Sequence, residues 1–282
     1  MNNIIVKKGN KTYSLNIDKI KYCIGFNYLE KFHFKQIIIE SLNNIKESEY
    51  SINNSGQAKI FINEKELDCK KVQFVSLSEN YSIVDDLKLS TKSLIAKYLE
   101  ALMSQVEYVD TINSINILLE SFGNELDNDL IESRFITYTP KMFLKILLPI
   151  FIKNSECANE YDLDYNECIL FQLKMIDYIS RNNHLNTYIC LLDIPLLTRE
   201  IKEYLDKMNC IVIVLLDKYN VVPDIKDIYL FDRIVIDLSE EEDIYNLCVC
   251  KGICTIEEAK EEMKRILLLE KEKLDMSIFE II

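Results

Sequence analysis

Residues 187–217 read TYICLLDIPLLTREIKEYLDKMNCIVIVLLD, and the spacing of their apolar residues decides the fold class. Tyr188 to Leu192 form an uncharged run closed by Asp193, an amphipathic stretch LTREIKEYLDKM follows, and CIVIVLLD repeats the first pattern. Strands without polar alternation are buried on both faces, and two of them joined through a helix are parallel neighbours in a covered sheet. DRIVIDL, residues 232–238, predicts a third strand. The fold class is α/β.

The first of these strands also resembles a nucleotide motif. In a Walker B strand, apolar residues lead to an Asp that supports Mg²⁺, and ABC-type ATPase heads follow it with a catalytic Glu and a Pro. Here Asp193 is in place, Ile194 stands where the Glu belongs, and Pro195 follows. Leu216 occupies the place of the switch His, and no LSGGQ-like signature precedes Asp193. Upstream, IGFNYLEKFHF at 24–34 follows an apolar run and precedes a helical segment, KQIIIESL. Gly25 and Lys31 have the glycine-to-lysine spacing of a phosphate loop. A working loop needs a second glycine before the lysine and a hydroxyl after it, to admit phosphate and to hold Mg²⁺. Glu30 and Phe32 take those places, and a carboxylate repels phosphate. Gly25, Lys31 and Asp193 are thus expected to be relics of a nucleotide site with little or no hydrolysis.

The remaining segments fit such a head. NIIVKK and KTYSLNI predict a hairpin turning at Gly9-Asn10. AKIFINEKEL and KKVQFVSLSE look like strands. Between 89 and 186 the pattern is helical, with Leu94, Ile95, Tyr98, Leu99 and Leu102 in one series and Ile112, Ile115, Leu118, Leu119 and Phe122 in another. Further helices are predicted over Pro140–Ile152, capped by Thr139, and Tyr165–Asn182, and a last one over Thr255–Met276 behind a Thr255/Glu258 capping box. The expected division is a head (1–88 and 187–247), an inserted helical lobe (89–186) and a C-terminal helical extension (248–282).

Composition narrows the chemistry. Against 46 Asp and Glu stand 33 Lys and Arg, a net charge of −13, so nucleic-acid binding would need a local concentration of cations. The nine scattered cysteines suit buried thiols in a reducing compartment. No apolar run approaches a membrane span and MNNIIVKKGNK lacks a signal-peptide core, so a cytoplasmic protein is expected. Cys248, Cys250 and Cys254 lack a fourth zinc ligand nearby, and the two histidines, His33 and His184, leave little general-base chemistry. YDLDYNE at 161–167 has Glu167 where a calcium loop needs Gly and Leu173 where it needs Glu, and is expected to cap a helix.

A degenerate ABC-type head with a helical insert resembles the ring-forming spacer-acquisition proteins of type II-A CRISPR systems. FGNELDNDLIE at Phe122–Glu132 is similar to that family's acidic segment, retaining the string NELD, and LLTREIKEYL, CIVIVLLDK and DRIVIDL follow in the same order. The resemblance covers roughly Ile20 to Asp237. It implies a non-catalytic, homotetrameric ring that binds calcium, holds double-stranded DNA ends in its central hole, and works with other CRISPR adaptation proteins. By position, Glu125, Asp127, Asp129 and Glu132 would be the calcium ligands, with Ile131 replacing a further acid. DNA threading a ring would have to meet cations such as Lys7, Lys8, Lys11, Lys31, Lys35, Lys70 and Lys71. The extension after 247, including the tail DMSIFEII, goes beyond the common family members. Two other readings compete: a divergent ABC-type ATPase of DNA repair, and an acidic protein-interaction scaffold.

Overall fold

The computed structural model describes residues 2–43, 56–68, 71–183, 187–249, 252 and 255–275. The chain forms two compact units, Met1–Glu79 with His184–Ile282 (the head) and Asn80–Asn183 (the lobe).

The head begins with the expected hairpin. β1 (Asn2–Lys8) and β2 (Lys11–Ile17) pair from Asn2–Ile17 to Lys8–Lys11, and Gly9 takes φ +57° in the turn. Alternation sends Ile4, Val6, Tyr13, Leu15 and Ile17 inward. β3 (Ile20–Ile24) is buried at every position. α1 (Tyr28–Leu42) starts well before the expected Lys35, because the Asn27 side chain accepts from the Glu30 amide and caps it. β4 (Lys59–Ile62) and β5 (Lys65–Glu66) complete an antiparallel sheet of order β2-β1-β4-β5, and β6 (Val72–Ser78) joins a second sheet.

The lobe holds α2 (Ile83–Asp86), α3 (Leu94–Met103), α4 (Val106–Glu125), α5 (Pro140–Phe143), the small hairpin β7 (Ile152–Lys153) and β8 (Glu156–Cys157), and α6 (Tyr165–Asn182). It starts at Asn80, where the sequence placed the boundary at 88/89, because the Asp86 carboxylate accepts from the Leu94 and Ile95 amides and ties α2 to the start of α3. The helix expected over Pro140–Ile152 stops at Phe143. Pro149 disfavours helical φ/ψ at Leu148 and has no amide to donate, so residues 147–151 are irregular. Asp164 and Glu167 form a reciprocal capping box at α6, the role expected for the YDLDYNE turn.

Back in the head come β9 (Thr187–Leu197), α7 (Arg199–Leu205), β10 (Ile211–Tyr219), β11 (Ile228–Phe231), β12 (Val235–Asp237), α8 (Glu241–Cys248) and α9 (Ile256–Asp275). The second sheet has order β12-β11-β3-β10-β9-β6 and is parallel except for β12. Within DRIVIDL only Val235–Asp237 form a strand, β12, which runs antiparallel to IYLF, a strand too short for its periodicity to show. α1 shares one core with both sheets, its Phe34 and Ile38 packing with Leu15, Ile213 and Phe231. Its rings cluster, with Phe34 centred 5.3 Å from Tyr13 and 5.4 Å from Phe231.

The 248–282 extension is not separate from the head up to Asp275. Ala259, Met263 and Leu267 of α9 are buried, the Tyr219 hydroxyl donates to the Leu267 carbonyl at 3.1 Å, and Cys248 lies buried beneath Ala259. Cys69, His184, Cys250, Cys254 and the tail beyond Asp275 lie outside the described residues. Among those described, Cys23, Cys168, Cys190 and Cys210 are also buried, and burial pushes the Cys23 and Cys190 thiols up, away from thiolate chemistry.

The most deeply enclosed charge of the head lies on β3. Lys21, near the start of β3, is fully buried, and its ammonium donates to Asp237 Oδ1 at 2.5 Å and to the Lys226 carbonyl at 2.9 Å. Asp237 also accepts from the amides of Asn16 (2.5 Å) and Ser239 (2.9 Å). Removing one partner of such a pair strands a charge. We expect Asp237→Ala to destabilise the protein by ~3–5 kcal/mol. The double change Lys21→Met with Asp237→Leu should recover part of that loss in urea unfolding, because no charge remains to be desolvated, while the Asn16 and Ser239 amides still lose their acceptor.

Candidate functional site

The carboxyl edge of a parallel sheet is where an α/β protein binds ligands. In the head this edge is made by β3, β10 and β9, with Cys23, Leu215 and Asp193 level with one another across the strands. β9 does not end at Asp193, as a Walker B strand would, but continues paired to β10 through Leu197.

The loop after β3 is only Gly25, Phe26 and Asn27. Gly25 has φ +116°, and a Cβ there would fall 2.1 Å from the Phe231 carbonyl oxygen. The Asn27 amide donates to that same oxygen at 3.0 Å, and its side-chain amide donates to the Asp232 carbonyl at 3.0 Å. The glycine therefore admits the protein's own backbone, in the form of β11, instead of a phosphate.

The two charged relics are consumed in the same way. Lys31 is 7% exposed, and its ammonium donates to the Leu216 carbonyl at 2.7 Å and to Asp217 at 3.2 Å. Lys35, one turn further along α1, pairs with Asp193. Glu30 points away from the edge, to Lys11 and the Tyr13 hydroxyl, and these partners hold its carboxyl below the usual range. Phe32 is 55% exposed and offers no metal ligand. A cavity of about 130 Å³ remains beside Gly25, lined by Ile24, Phe26, Leu230, Met263 and Leu267 with Asp217 and Asp232. It is small for a nucleotide, for which pockets run from ~300 Å³, and its carboxylates repel phosphate. The signal for this closure lies in the sequence itself: Lys31 and Lys35 at i, i+4 share a helix face, and both strands facing them carry LLD.

The seven lysines considered for DNA contact do not form one patch. Lys8 pairs with Glu40 at 2.7 Å, Lys11 with Glu30, and Lys35 with Asp193. Lys31, expected to face DNA, is instead enclosed between Leu216 and Asp217. Lys7 and Lys71 are exposed, with no ion pair among the described residues, and Lys70 lies outside those residues.

In the lobe, the four candidate calcium ligands are not brought together. α4 ends at Glu125, and Asp127 Oδ1 accepts from the Ser133 amide at 2.5 Å. Glu132 faces Arg134, accepting from Nε at 3.0 Å and Nη2 at 2.5 Å. Among the described residues no three His, Cys, Asp or Glu side chains are placed to hold a metal ion. Calcium takes six to eight oxygens, and Glu125, Asp127, Asp129 and Glu132 as arranged do not fit it. The lobe does expose many large apolar side chains, among them Ile117, Leu118, Leu130, Ile136 and Leu148, at 65% to 92%.

The structure defines an α/β protein with a largely parallel sheet and a helical lobe inserted between its strands in the chain. Among solved structures, Stu0660 of Streptococcus thermophilus, known from a crystal structure, aligns over 90% of this chain and 80% of its own, with a TM-score of 0.64 and 18% identity. At that identity the likeness is one of fold. No protein-family model and no curated protein sequence matches the chain.

Closure of the edge makes Gly25 a test position. A Gly25→Ala variant must either move β11 or open the loop, and we expect a loss of ~2–4 kcal/mol in denaturant unfolding. A glycine kept for phosphate alone would tolerate the methyl group in the absence of nucleotide.

Proposed function

We propose that the protein is a non-catalytic binder of double-stranded DNA ends, acting as a homotetrameric ring in the spacer-acquisition step of type II-A CRISPR immunity. The observation that carries the non-catalytic part is the self-pairing at the sheet edge. Lys31 and Asp193, the residues that would handle phosphate and Mg²⁺, are bound to Leu216, Asp217 and Lys35. Phosphoryl transfer depends on groups aimed at developing charge, and here they face one another. The shared fold with Stu0660 supports the architecture. The NELD segment and the strand order after it support the family assignment. The exposed apolar side chains of the lobe support self-association, since a lone copy would leave Leu118 and Ile136 in water. No helix among the described residues is long and apolar enough to cross a membrane.

Duplex in a ring is held by phosphate contacts, which position without reading sequence. Lys7 and Lys71 are the considered lysines that stay exposed, with no ion pair among the described residues, for that task. A closed ring loads only over an end, so linear DNA is retained and covalently closed circles are not. Calcium has no step in this reading, because the acids of the lobe do not converge among the described residues.

A second reading has its own observation. Lys8, Lys11, Lys31 and Lys35 are all occupied within the chain, and the net charge is −13, which favours an acidic protein-interaction scaffold. A mobility shift with linear and closed circular duplex of one sequence, across a salt series, separates the two. Retention of linear DNA alone, weakening steeply with salt, is the expected result. Lys7→Ala and Lys71→Ala should each weaken binding regardless of sequence and lower the salt slope by about one for every phosphate left without its cation. Retention of neither form leaves the scaffold. Turnover of ATP with Mg²⁺ that Asp193→Ala abolishes would restore the ATPase reading.

A further inference from the structure

The acidic stretch after α4 is engaged by groups of the chain itself. Asp127 Oδ1 accepts from the Ser133 amide at 2.5 Å, closing a loop over the residues between them. Inside that loop, Asn128 Oδ1 accepts from the amides of Leu130 (3.0 Å) and Ile131 (3.1 Å), and the Asn128 amide donates to the Ile131 carbonyl at 3.0 Å. Glu132 accepts from the Arg134 guanidinium in an exposed pair. From there the chain runs as an extended arm back along α4 and is held along its length. Gly123 lets the arm approach, since a Cβ there would lie 2.9 Å from the Ser133 carbonyl oxygen. Phe135 stacks on Phe122, with centroids 5.7 Å apart and planes 25° from parallel. Asn116 of α4 grips the backbone of Tyr138 at both ends, accepting from its amide at 2.8 Å and donating to its carbonyl at 2.9 Å.

We infer that this turn is a brace built from the chain's own side chains, which fixes the arm 127–138 on α4 without calcium and replaces the ion that the family resemblance places there. The electrostatics run the same way. A dication would have to take Asp127 from Ser133 and Glu132 from Arg134, and the released guanidinium would then sit beside it. Ile131 contributes a hydrocarbon side chain where a further carboxylate would be needed. The side chains of Glu125 and Asp129 supply at most four oxygens of the six to eight that calcium takes. The inference is independent of DNA binding, and its test uses no DNA.

The measurement is amide hydrogen exchange over residues 127–138 of the full chain, in EDTA and in millimolar calcium, with thermal unfolding alongside. Equal protection of the Ser133 and Tyr138 amides in the two conditions, with an unchanged Tm, is expected. Two variants isolate the role of Asp127. Asp127→Ala should lower Ser133 protection about tenfold or more, as loss of a hydrogen bond to a charged group does. Asp127→Asn keeps an oxygen that can accept from the Ser133 amide, supplies no charge to a cation, and should retain most of the protection. Calcium that raises protection across 127–138, or that raises the Tm of the parent but not of Asp127→Asn, would overturn the brace. So would unchanged Ser133 protection in Asp127→Ala.

Discussion

The head is organised around a charge that has no access to water. Lys21 lies on β3 between β10 and β11, a position that the run of apolar neighbours would otherwise give to Ile or Val. Desolvating an ammonium costs several kcal/mol, and that cost is offset only when a carboxylate and further hydrogen bonds surround it. Asp237 meets this requirement from the end of β12, and the Lys226 carbonyl from the turn before β11. Asp237 in turn takes the Asn16 amide of β2, so one carboxylate links the parallel sheet to the antiparallel one. β12 has only three residues and is the last strand on its side of the sheet, too little hydrophobic surface to fix its register alone. The ion pair does so, and with it the position of β11.

The placement of β11 sets the chemistry at the opposite end of β3. Because Phe231 is held where it is, its carbonyl lies against Gly25 and accepts from Asn27, and α1 must begin at once. A helix starting at Tyr28 carries Lys31 and Lys35 over the edge formed by β10 and β9, where Leu216, Asp217 and Asp193 receive them. Loop length, glycine conformation and the fate of both lysines are therefore one arrangement. Restoring a hydroxyl at Phe32 would not restore a nucleotide site, since phosphate would still have to displace β11 and two lysines already paired.

Much of this was legible in the sequence where local chemistry and tertiary packing agree. The β1–β2 hairpin follows from Gly9-Asn10 between alternating strands, the β9–α7–β10 unit from its apolar runs, and the start of α6 from Asp164 and Glu167. What was not legible depended on partners distant in the chain. IYLF has too few residues to announce a strand and is one because β3 and β12 flank it. Lys21 resembles an exposed polar residue in a strand until Asp237, 216 residues away, is placed beside it. Hydrophobic periodicity carried the expected helix from Pro140 past Pro149, where proline chemistry should have stopped it. The acids after α4 show the limit of reading by position. Ser133 and Arg134 satisfy Asp127 and Glu132, and neither partner belongs to the acidic motif itself.

The charge pattern bears on how such a chain could hold a polyanion. Four of the lysines expected to meet DNA are spent inside the chain, on Glu40, Glu30, Asp217 and Asp193. A single copy with a net charge of −13 presents a repulsive mean field to DNA, and the exposed Lys7 and Lys71 do not reverse it. Symmetry changes this balance locally. In the proposed ring each exposed lysine would recur once per subunit, as would the excess of carboxylates, so only lysines brought close to the duplex would tip the balance. Interactions that are weak alone then act together on one duplex, because each engaged subunit holds the next at high effective concentration. Oligomerisation through the apolar lobe would therefore be the condition for nucleic-acid binding by an acidic chain, as well as the means of encircling it.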